Sequence, residues 1–225
     1  GGLGDKASMG EGHADIAAVV NGNVRVNLNG YDDESTSTPT PTAMGECIVK
    51  GSIFGGNNAN GSPAGTSEVH IYKTKDYTDH LRTASNKLES ATPSDHTYEL
   101  LAVYGGGNLA AFNGTTTNVV IETCDPSIET VYGGGNAADA TNTSVLVKGA
   151  YEIGTVFGGG NGLVTPANVS GTATTVLNGG RIHDFYGGSN TRGTVGTYSD
   201  NVSTGGPVIT INDLQIGTDC SLKFD

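Results

Sequence analysis

Residues 103–108 read Val-Tyr-Gly-Gly-Gly-Asn, and this short pattern organises the whole 225-residue chain. It consists of an apolar residue, an aromatic residue, two glycines, a variable position and Asn. Five copies occur, at residues 53–58, 103–108, 131–136, 156–161 and 185–190, with spacings of 50, 28, 25 and 29 residues. A unit that recurs at nearly constant spacing indicates that each copy stacks on its neighbours in a repeat architecture.

Short runs rich in Val, Ile and Thr lie between the copies, at residues 23–28, 68–72, 118–122, 144–148, 174–177 and 208–212. Apolar residues at alternate positions predict half-buried β-strands. The side chains expected to point inward and to stack in register are Val24, Val26, Val69, Ile71, Val119, Ile121, Val145 and Val147. A further apolar column stands four residues before the aromatic, at Leu100, Ile128, Ile153 and Ile182.

Each unit of about 25–29 residues therefore holds two or three short strands, and helical periodicity is absent from these units. This combination predicts an all-β fold, a parallel β-solenoid of six to seven coils that forms one domain over residues 1–225. A β-propeller is the rival architecture, but its blades need about 40–50 residues each. The unit is too short for such a blade.

The glycine runs are expected to form the corners between strands. A corner that needs a positive φ favours Gly, so several glycines of each run are predicted in the left-handed region. The Asn residues that close the runs are expected to hydrogen-bond to one another along the stack. The predicted corner residues are Gly105, Gly106, Gly107, Asn108, Gly133, Gly134, Gly135, Asn136, Gly158, Gly159, Gly160 and Asn161, and the Asn ladder continues to Asn190.

Two insertions interrupt the pattern, at residues 31–47 and 73–99. The second one adds positive charge to an acidic chain and includes a predicted short helix at residues 78–89. Loops on a rigid scaffold are where binding usually occurs, so any ligand is expected at these insertions. The candidate binding residues there are Lys73, Lys75, Arg82 and Lys87. Gly1–Gly4 resembles the end of another glycine run, which indicates a fragment of a longer repeat protein whose adjoining coils continue the stack.

The aromatic column is the second candidate for recognition. Its members are Phe54, Tyr104, Tyr132, Phe157 and Tyr186. If the rings face outward, they form a strip that could stack on sugar rings or on a protein partner. If they face inward, they fill the corners, which is the interpretation favoured here.

The charge balance narrows the classes of partner. The chain has 11 Lys and Arg residues against 23 Asp and Glu residues, a formal net charge of −12, which argues against nucleic-acid binding. No apolar run is long enough for a membrane span. Three widely spaced cysteines (Cys47, Cys124 and Cys220) do not form a disulfide framework, and either free thiols or one bridge with one thiol left over fits the count.

No motif for catalysis, a metal or a cofactor is recognised in the sequence. The glycine runs lack the Lys of a phosphate-binding loop, and the Asp of calcium-binding nonapeptide repeats is replaced by Asn. Isolated acid–base candidates are Asp139, the pair His183 and Asp184, and the group Asp79, His80 and Arg82. Acid–base catalysis needs two such groups to converge, so the chain is expected not to be an enzyme. A polysaccharide lyase or hydrolase is the alternative, because pectate-lyase-like enzymes also use parallel β-helices.

The alternation of Val-Tyr-Gly-Gly-Gly-Asn segments with short β-branched strands resembles the glycine-rich, adhesin-like surface proteins of gut Bacteroidales. Residues 102–111 and 129–138 resemble them most, and the similarity extends over almost the whole chain outside the insertions. The resemblance implies a right-handed parallel β-helix and an exported, extracellular or cell-surface location. It implies adhesion to a glycan or to a host or bacterial surface protein, and it supplies no catalytic residue.

Overall fold

The computed structural model describes residues 1–33, 35, 40–74, 98–212 and 222–224. Within these ranges the protein is all-β, and helical structure is limited to one 3₁₀ turn, η1 (Ala7–Met9). The described strands form two parallel sheets of six strands each and two small antiparallel hairpins. The predicted all-β class with parallel strand pairing is therefore confirmed. The predicted helix at residues 78–89 lies outside the described residues.

Each parallel sheet collects one kind of segment from the repeat. Sheet one contains, in spatial order, β1 (Val24–Leu28), β5 (Ser67–Ile71), β7 (Thr117–Ile121), β9 (Thr143–Val147), β11 (Thr172–Leu177) and β15 (Gly206–Ile211). Sheet two contains β4 (Ser52–Phe54), β6 (Leu100–Tyr104), β8 (Ser127–Tyr132), β10 (Glu152–Phe157), β12 (Arg181–Tyr186) and β16 (Lys223–Phe224). The hairpins are β2 (Gly30–Asp33) with β3 (Thr40–Ala43), and β13 (Thr197–Ser199) with β14 (Val202–Thr204).

The chain visits the two sheets alternately. The β-branched runs are the strands of sheet one, and the first five strands of sheet two along the chain end at the aromatic residue of each glycine repeat. Every strand of these two sheets pairs with the strand that occupies the same place one repeat earlier or later. The repeat spacing of the sequence thus becomes the order of strands in each sheet.

The inward side chains of sheet one stack in register as predicted. Val69 pairs with Val119, which pairs with Val145, and Ile71, Ile121 and Val147 form the adjacent row. All six are fully buried. Val26 continues the Val row, whereas Val24 pairs with Ser67 in the row of hydroxyl residues; both are only half-buried, because β1 lies at the edge of the sheet.

The predicted second column is also buried. Leu100, Ile128, Ile153 and Ile182 pair in sequence across sheet two and have no exposed surface. These residues belong to the same apolar cluster as the Val and Ile rows of sheet one. The two sheets therefore enclose one common core, and each fully buried aliphatic side chain contributes about 1.5–3 kcal/mol to its stability.

The prediction of positive φ in the glycine runs is wrong. None of the glycines in 105–107, 133–135 and 158–160 lies in the left-handed region. Positive φ occurs at other glycines, including Gly162 (70°) and Gly180 (91°). The runs therefore require glycine for a reason other than backbone conformation.

That reason is the close approach of neighbouring runs. The amide of Gly133 donates to the carbonyl of Phe157 (3.0 Å), and the amide of Gly134 donates to the carbonyl of Gly159 (3.0 Å). A Cβ atom on Gly133 would lie 2.3 Å from the carbonyl oxygen of Gly158, far inside van der Waals contact. The same clash recurs at Gly105, 2.4 Å from the oxygen of Gly133.

Hydroxyl groups at the start of the sheet-one strands bond to these glycine runs. Ser67 Oγ donates to the carbonyl of Gly105 (2.9 Å), Thr117 Oγ1 to that of Gly133 (2.6 Å), and Thr143 Oγ1 to that of Gly158 (2.7 Å). All three residues are buried, so each hydroxyl satisfies a carbonyl that water cannot reach. The sequence analysis did not identify this row, although Ser or Thr opens three consecutive strands.

Thr175 breaks the pattern, because it stands in the row that carries Val145 in the neighbouring strand. It is fully buried, and within the described ranges its Oγ1 is the one buried side-chain polar atom without a hydrogen-bond partner. We expect Thr175→Val to raise the free energy of unfolding by about 1 kcal/mol, since Val keeps the shape and removes the unpaired hydroxyl. Urea denaturation measures this change.

Thr143→Val is the matched control for that substitution. Thr143 is equally buried and lies in the adjacent strand, but its hydroxyl donates to Gly158. The same chemical change should lower the free energy of unfolding by about 1 kcal/mol there, because it leaves a buried carbonyl unpaired. Destabilisation by both substitutions would refute the assignment of Thr175 as unpaired.

Residues 1–4 continue the hydrogen-bond ladder between the glycine runs. The carbonyls of Gly2 and Leu3 accept hydrogen bonds from the amides of Asn58 (2.9 Å) and Ala59 (2.8 Å). The carbonyls of Asn57 and Asn58 form the same pair of bonds with the next repeat (2.9 and 2.7 Å). The first residues therefore stack on the repeat at 53–58 in the manner of a further copy.

Candidate functional site

The Asn residues form the predicted ladder. Each Nδ2 donates to the Oδ1 of the Asn one repeat earlier, with distances of 2.8 Å (Asn108 to Asn58), 2.8 Å (Asn136 to Asn108), 2.8 Å (Asn161 to Asn136) and 2.9 Å (Asn190 to Asn161). The ladder therefore includes one more member, Asn58, than the four predicted. Because these amides bond to one another, their role is structural.

The aromatic residues form one continuous stack beside this ladder. Ring centroids of successive members are 4.7, 4.7, 5.1 and 5.2 Å apart, with interplanar angles of 13° or less, from Phe54 through Tyr104, Tyr132 and Phe157 to Tyr186. Four of the rings and Ala102 form a small apolar cluster separate from the main core. Such offset stacking stabilises each pair by about 0.5–1.5 kcal/mol beyond area burial.

The stack leaves little aromatic surface for a ligand. Tyr104, Tyr132 and Phe157 are 4–6% exposed, whereas Tyr186 is 53% exposed. Burial raises the pKa of Tyr104 to about 12, with a smaller contribution from Tyr132, so its hydroxyl stays protonated at physiological pH. Phe54 is half-buried, so Tyr186 is the one ring of the five that is mostly exposed.

The basic candidates of the second insertion cannot be placed together. Lys73 is half-buried, and its carbonyl accepts a hydrogen bond from Asn29 Nδ2 (3.0 Å). Lys75, Arg82 and Lys87 lie outside the described residues, as do Asp79 and His80 of the proposed acid–base group. The prediction that this insertion binds a ligand stays a prediction.

The remaining acid–base candidates occupy different parts of the fold. His183 and Asp184 lie in β12 of sheet two. Asp139 lies between β8 and β9, and its Oδ1 accepts hydrogen bonds from the backbone amide (2.8 Å) and Nδ2 (3.0 Å) of Asn168. This carboxylate therefore fixes the chain of the next repeat.

A polar cluster that the sequence analysis missed lies on the outer face of sheet one. The β2–β3 hairpin packs on this face over Tyr72, which is fully buried, and a Cβ on Gly30 would lie 2.2 Å from the Tyr72 ring. The hairpin brings Asp32 to His70 in β5 and to Glu122, which follows β7. One potential ligand atom from each of these three residues lies within 4.8 Å of the other two.

Each member of this Asp32–His70–Glu122 cluster is held by further contacts. His70 Nδ1 lies 2.6 Å from Glu122 Oε1, and Lys148 Nζ donates to the other oxygen, Oε2. Asp32 Oδ1 accepts from the Tyr72 hydroxyl (3.0 Å), and its Oδ2 pairs with Arg25 (2.8 Å). Burial and the hydrogen bond to Asp32 raise the pKa of Tyr72, so this hydroxyl remains a donor.

The cluster is also shielded from solvent. The side-chain exposures are 0% for Glu122, 11% for His70 and 18% for Asp32. Two buried carboxylates are therefore compensated by Arg25, Lys148 and the imidazole. His70 and Glu122 could have been expected near each other, because they occupy outward positions of adjacent strands. The position of Asp32 beside them could not have been expected, since Asp32 belongs to an insertion.

Comparisons with known proteins assign no family. No family model, no curated protein and no solved structure matches the chain. In the part of the chain that the structure describes, no helix is long and apolar enough to cross a membrane. Inferences about function therefore depend on the geometry of the side chains.

Proposed function

We propose that this chain is a non-catalytic, adhesin-like module of the cell surface or extracellular space, built as a right-handed parallel β-helix of six to seven coils. One observation carries the proposal: the side chains at the repeated positions bind their own equivalents one repeat away. Asn bonds to Asn, aromatic rings stack on aromatic rings, and glycine runs pack on glycine runs. Residues used in this way produce a long rigid scaffold, which suits presentation of a binding surface.

A third line of contacts supports coils with three sides. Outside the two sheets, isolated parallel bridges join Phe112 to Ala140, Ala140 to Val169, and Val169 to Val195. These bridges follow the glycine runs along the chain and precede the strands of sheet one. Three parallel contact lines per repeat are what a β-helix produces. The handedness in the proposal comes from the resemblance to the Bacteroidales proteins.

The cysteines support the proposed location. Cys124 is disulfide-bonded, whereas Cys47 is a free, exposed thiol. Disulfides persist mainly in oxidising environments such as the cell exterior and the bacterial periplasm. A net charge of −12 also favours a soluble surface without affinity for nucleic acid.

We place the binding surface on the insertions and not on the repeats, because the repeated side chains are already used in stacking. The β2–β3 hairpin covers part of the outer face of sheet one and leaves Tyr31 45% exposed. At the two ends of the second insertion (residues 73–99), Thr74 Oγ1 donates a hydrogen bond to Glu99 Oε2 (2.6 Å). The ligand class proposed is a glycan or a host or bacterial surface protein.

The test is a glycan array probed with the intact chain and with two variants. One variant replaces residues 75–97 by a short Gly-Ser link and retains Thr74, whose Oγ1 accepts from the amide of Ser127 (2.9 Å). The other is Tyr186→Ala. We expect intact chain and Tyr186→Ala to bind the same glycans and the deletion variant to lose about tenfold or more in affinity. Full affinity after the deletion combined with loss in Tyr186→Ala would move the site to the aromatic column.

The enzymatic alternative is decided with the same glycans. Polysaccharides retained on the array are incubated with the chain and assayed for new reducing ends and for unsaturated uronic acids, the products of hydrolases and lyases. We expect every glycan to remain intact. Product formation that is lost in Glu122→Gln or Asp184→Asn would overturn the non-catalytic assignment.

A further inference from the structure

The Asp32–His70–Glu122 cluster has the construction of a metal site as well as its donor atoms. Each residue comes from a different segment: the inserted hairpin, β5 and the end of β7. The groups around it hold the donors in place. Lys148 occupies only Oε2 of Glu122, and Arg25 occupies only Oδ2 of Asp32. The other oxygen of each carboxylate contacts a neighbour inside the cluster: Glu122 Oε1 contacts His70, and Asp32 Oδ1 contacts Tyr72.

We propose that this cluster binds one divalent transition-metal ion of the Zn²⁺ type. Glu122 would ligate through Oε1, His70 through Nδ1, and Asp32 through a carboxylate oxygen, with water available for the remaining position. The proton on His70 Nδ1 leaves to solvent when the ion binds. The ion then takes the place of the hydrogen bond between His70 Nδ1 and Glu122 Oε1.

The three ligands must move by different amounts. Asp32, whose donor atom lies within 4.8 Å of the other two, must approach them by up to about 1.5 Å, and the His70–Glu122 pair must open. Two ligands at the usual distances of about 2.0–2.1 Å from a tetrahedral ion stand about 3.3 Å apart. His70 Nδ1 and Glu122 Oε1 are 2.6 Å apart and must therefore separate by about 0.7 Å. Side-chain rotations of this size leave the paired strand backbones in place, and the β2–β3 hairpin that covers the two residues must adjust with them.

The contacts around the two carboxylates match those that orient ligands in metal sites. A ligating imidazole usually donates its second nitrogen to a carboxylate, and ligating carboxylates are themselves hydrogen-bonded. Lys148, Arg25 and Tyr72 hydrogen-bond to the two ligating carboxylates. His70 Nε2 stands 3.8 Å from Glu68 Oε2, which is beyond hydrogen-bond distance, so this carboxylate would have to move closer to orient the imidazole. Imidazole nitrogen selects Zn²⁺ and its neighbours over Ca²⁺ and Mg²⁺, which prefer oxygen ligands only.

A metal ion at this cluster would attach the β2–β3 hairpin to sheet one. Asp32 lies in β2, whereas His70 and Glu122 belong to two consecutive repeats of sheet one. An ion bound to all three would join the insertion to the scaffold. The absence of a metal-binding sequence motif is consistent with this arrangement, since the spacing of 38 and 52 residues between the ligands follows the repeat and the insertion.

The test measures metal content and affinity with the full chain. The protein is freed of metal with a chelator, dialysed against Zn²⁺ or Ca²⁺, and analysed by plasma mass spectrometry and by titration calorimetry. We expect one Zn²⁺ per chain and no stoichiometric Ca²⁺. Asp32→Asn and His70→Gln should each weaken Zn²⁺ binding by at least about 100-fold. Hydrogen exchange of the β2–β3 amides should slow on addition of Zn²⁺ to the unaltered chain but not to Asp32→Asn or His70→Gln.

His13→Gln is the matched control. His13 Nδ1 also lies 2.7 Å from a carboxylate, that of Asp5, but the pair is exposed and belongs to no three-ligand group among the described residues. Zn²⁺ binding should be unchanged in this variant. Failure of the unaltered chain to bind Zn²⁺, or equal binding in His70→Gln, would overturn the proposal. A lower Tm of metal-free His70→Gln without any effect of Zn²⁺ would assign the cluster to holding the hairpin alone.

Discussion

Gly133→Ala should lower the free energy of unfolding by about 3 kcal/mol, which corresponds to a fall in Tm of about 6–12 °C for a chain of this length. The added Cβ would meet the carbonyl oxygen of Gly158 at 2.3 Å and Thr143 Cβ at 3.0 Å. The first contact is with a backbone oxygen in the segment that directly follows β10. A backbone atom cannot rotate away as the end of a side chain can. Relief requires separation of the two repeats, at the expense of the hydrogen bond from Gly133 to Phe157.

Gly188→Ala provides the control from the same sequence pattern. Gly188 belongs to the last copy, its φ is not in the left-handed region, and a Cβ there would meet nothing within 4 Å. Ala should be neutral there or stabilising by up to about 1 kcal/mol, because it reduces the freedom of the unfolded chain. Urea denaturation of both variants decides the matter. Equal losses at the two positions would show that backbone conformation, and not contact between repeats, selects glycine.

The sequence pattern predicted the glycine positions but not why glycine is needed. Glycine satisfies two different demands, a positive φ and close packing without a Cβ, and both produce the same residue in the same place. Only the hydrogen bonds between runs, such as Gly134 to Gly159, distinguish them. The predicted corners were therefore assigned the wrong physical cause, although the positions themselves are those where the repeats approach most closely.

The repeated part of the fold could be predicted from the sequence, because a regular repeat shows which residues are neighbours in successive units. Once Val119 and Val145 occupy equivalent positions in two units, their pairing in a parallel sheet follows, and the Asn ladder and the aromatic stack follow in the same way. Burial is less well specified by a period. Tyr132 and Tyr186 are equivalent in sequence, yet one is 4% and the other 53% exposed.

The Asp32–His70–Glu122 cluster could not be predicted from the sequence, because the insertion that carries Asp32 is not part of the repeat. The Asp32 carboxylate reaches His70 only through the antiparallel β2–β3 hairpin, which folds back over Tyr72. Nothing in the alternation of the strands specifies where such a hairpin packs. The outward position of His70 predicts exposure, whereas the hairpin leaves only 11% of its side chain exposed. Departures from the repeat are thus where the proposed metal site and the proposed binding surfaces lie.

Ile121→Ala should lower the free energy of unfolding by about 3–4 kcal/mol. Ile121 is fully buried in the centre of sheet one, between Ile71 and Val147 in the same inward row. Ala removes three carbon atoms and leaves a cavity bounded by strands whose backbone hydrogen bonds fix their separation. Because these strands cannot close on the cavity, the loss should lie toward the upper part of the usual range for such substitutions.

Ile211→Ala changes the same residue type in the same row and isolates the effect of burial. Ile211 pairs with Leu177 at the edge of the sheet, and it is 52% exposed. Its substitution should cost less than about 1 kcal/mol, since most of the removed surface already contacts water. The difference between the two variants, measured by urea denaturation, tests whether the inward rows form one continuous core. If Ile211→Ala costs as much as Ile121→Ala, the row is buried along its whole length, and the edge of the stack is covered in solution by another part of the chain or by a second copy.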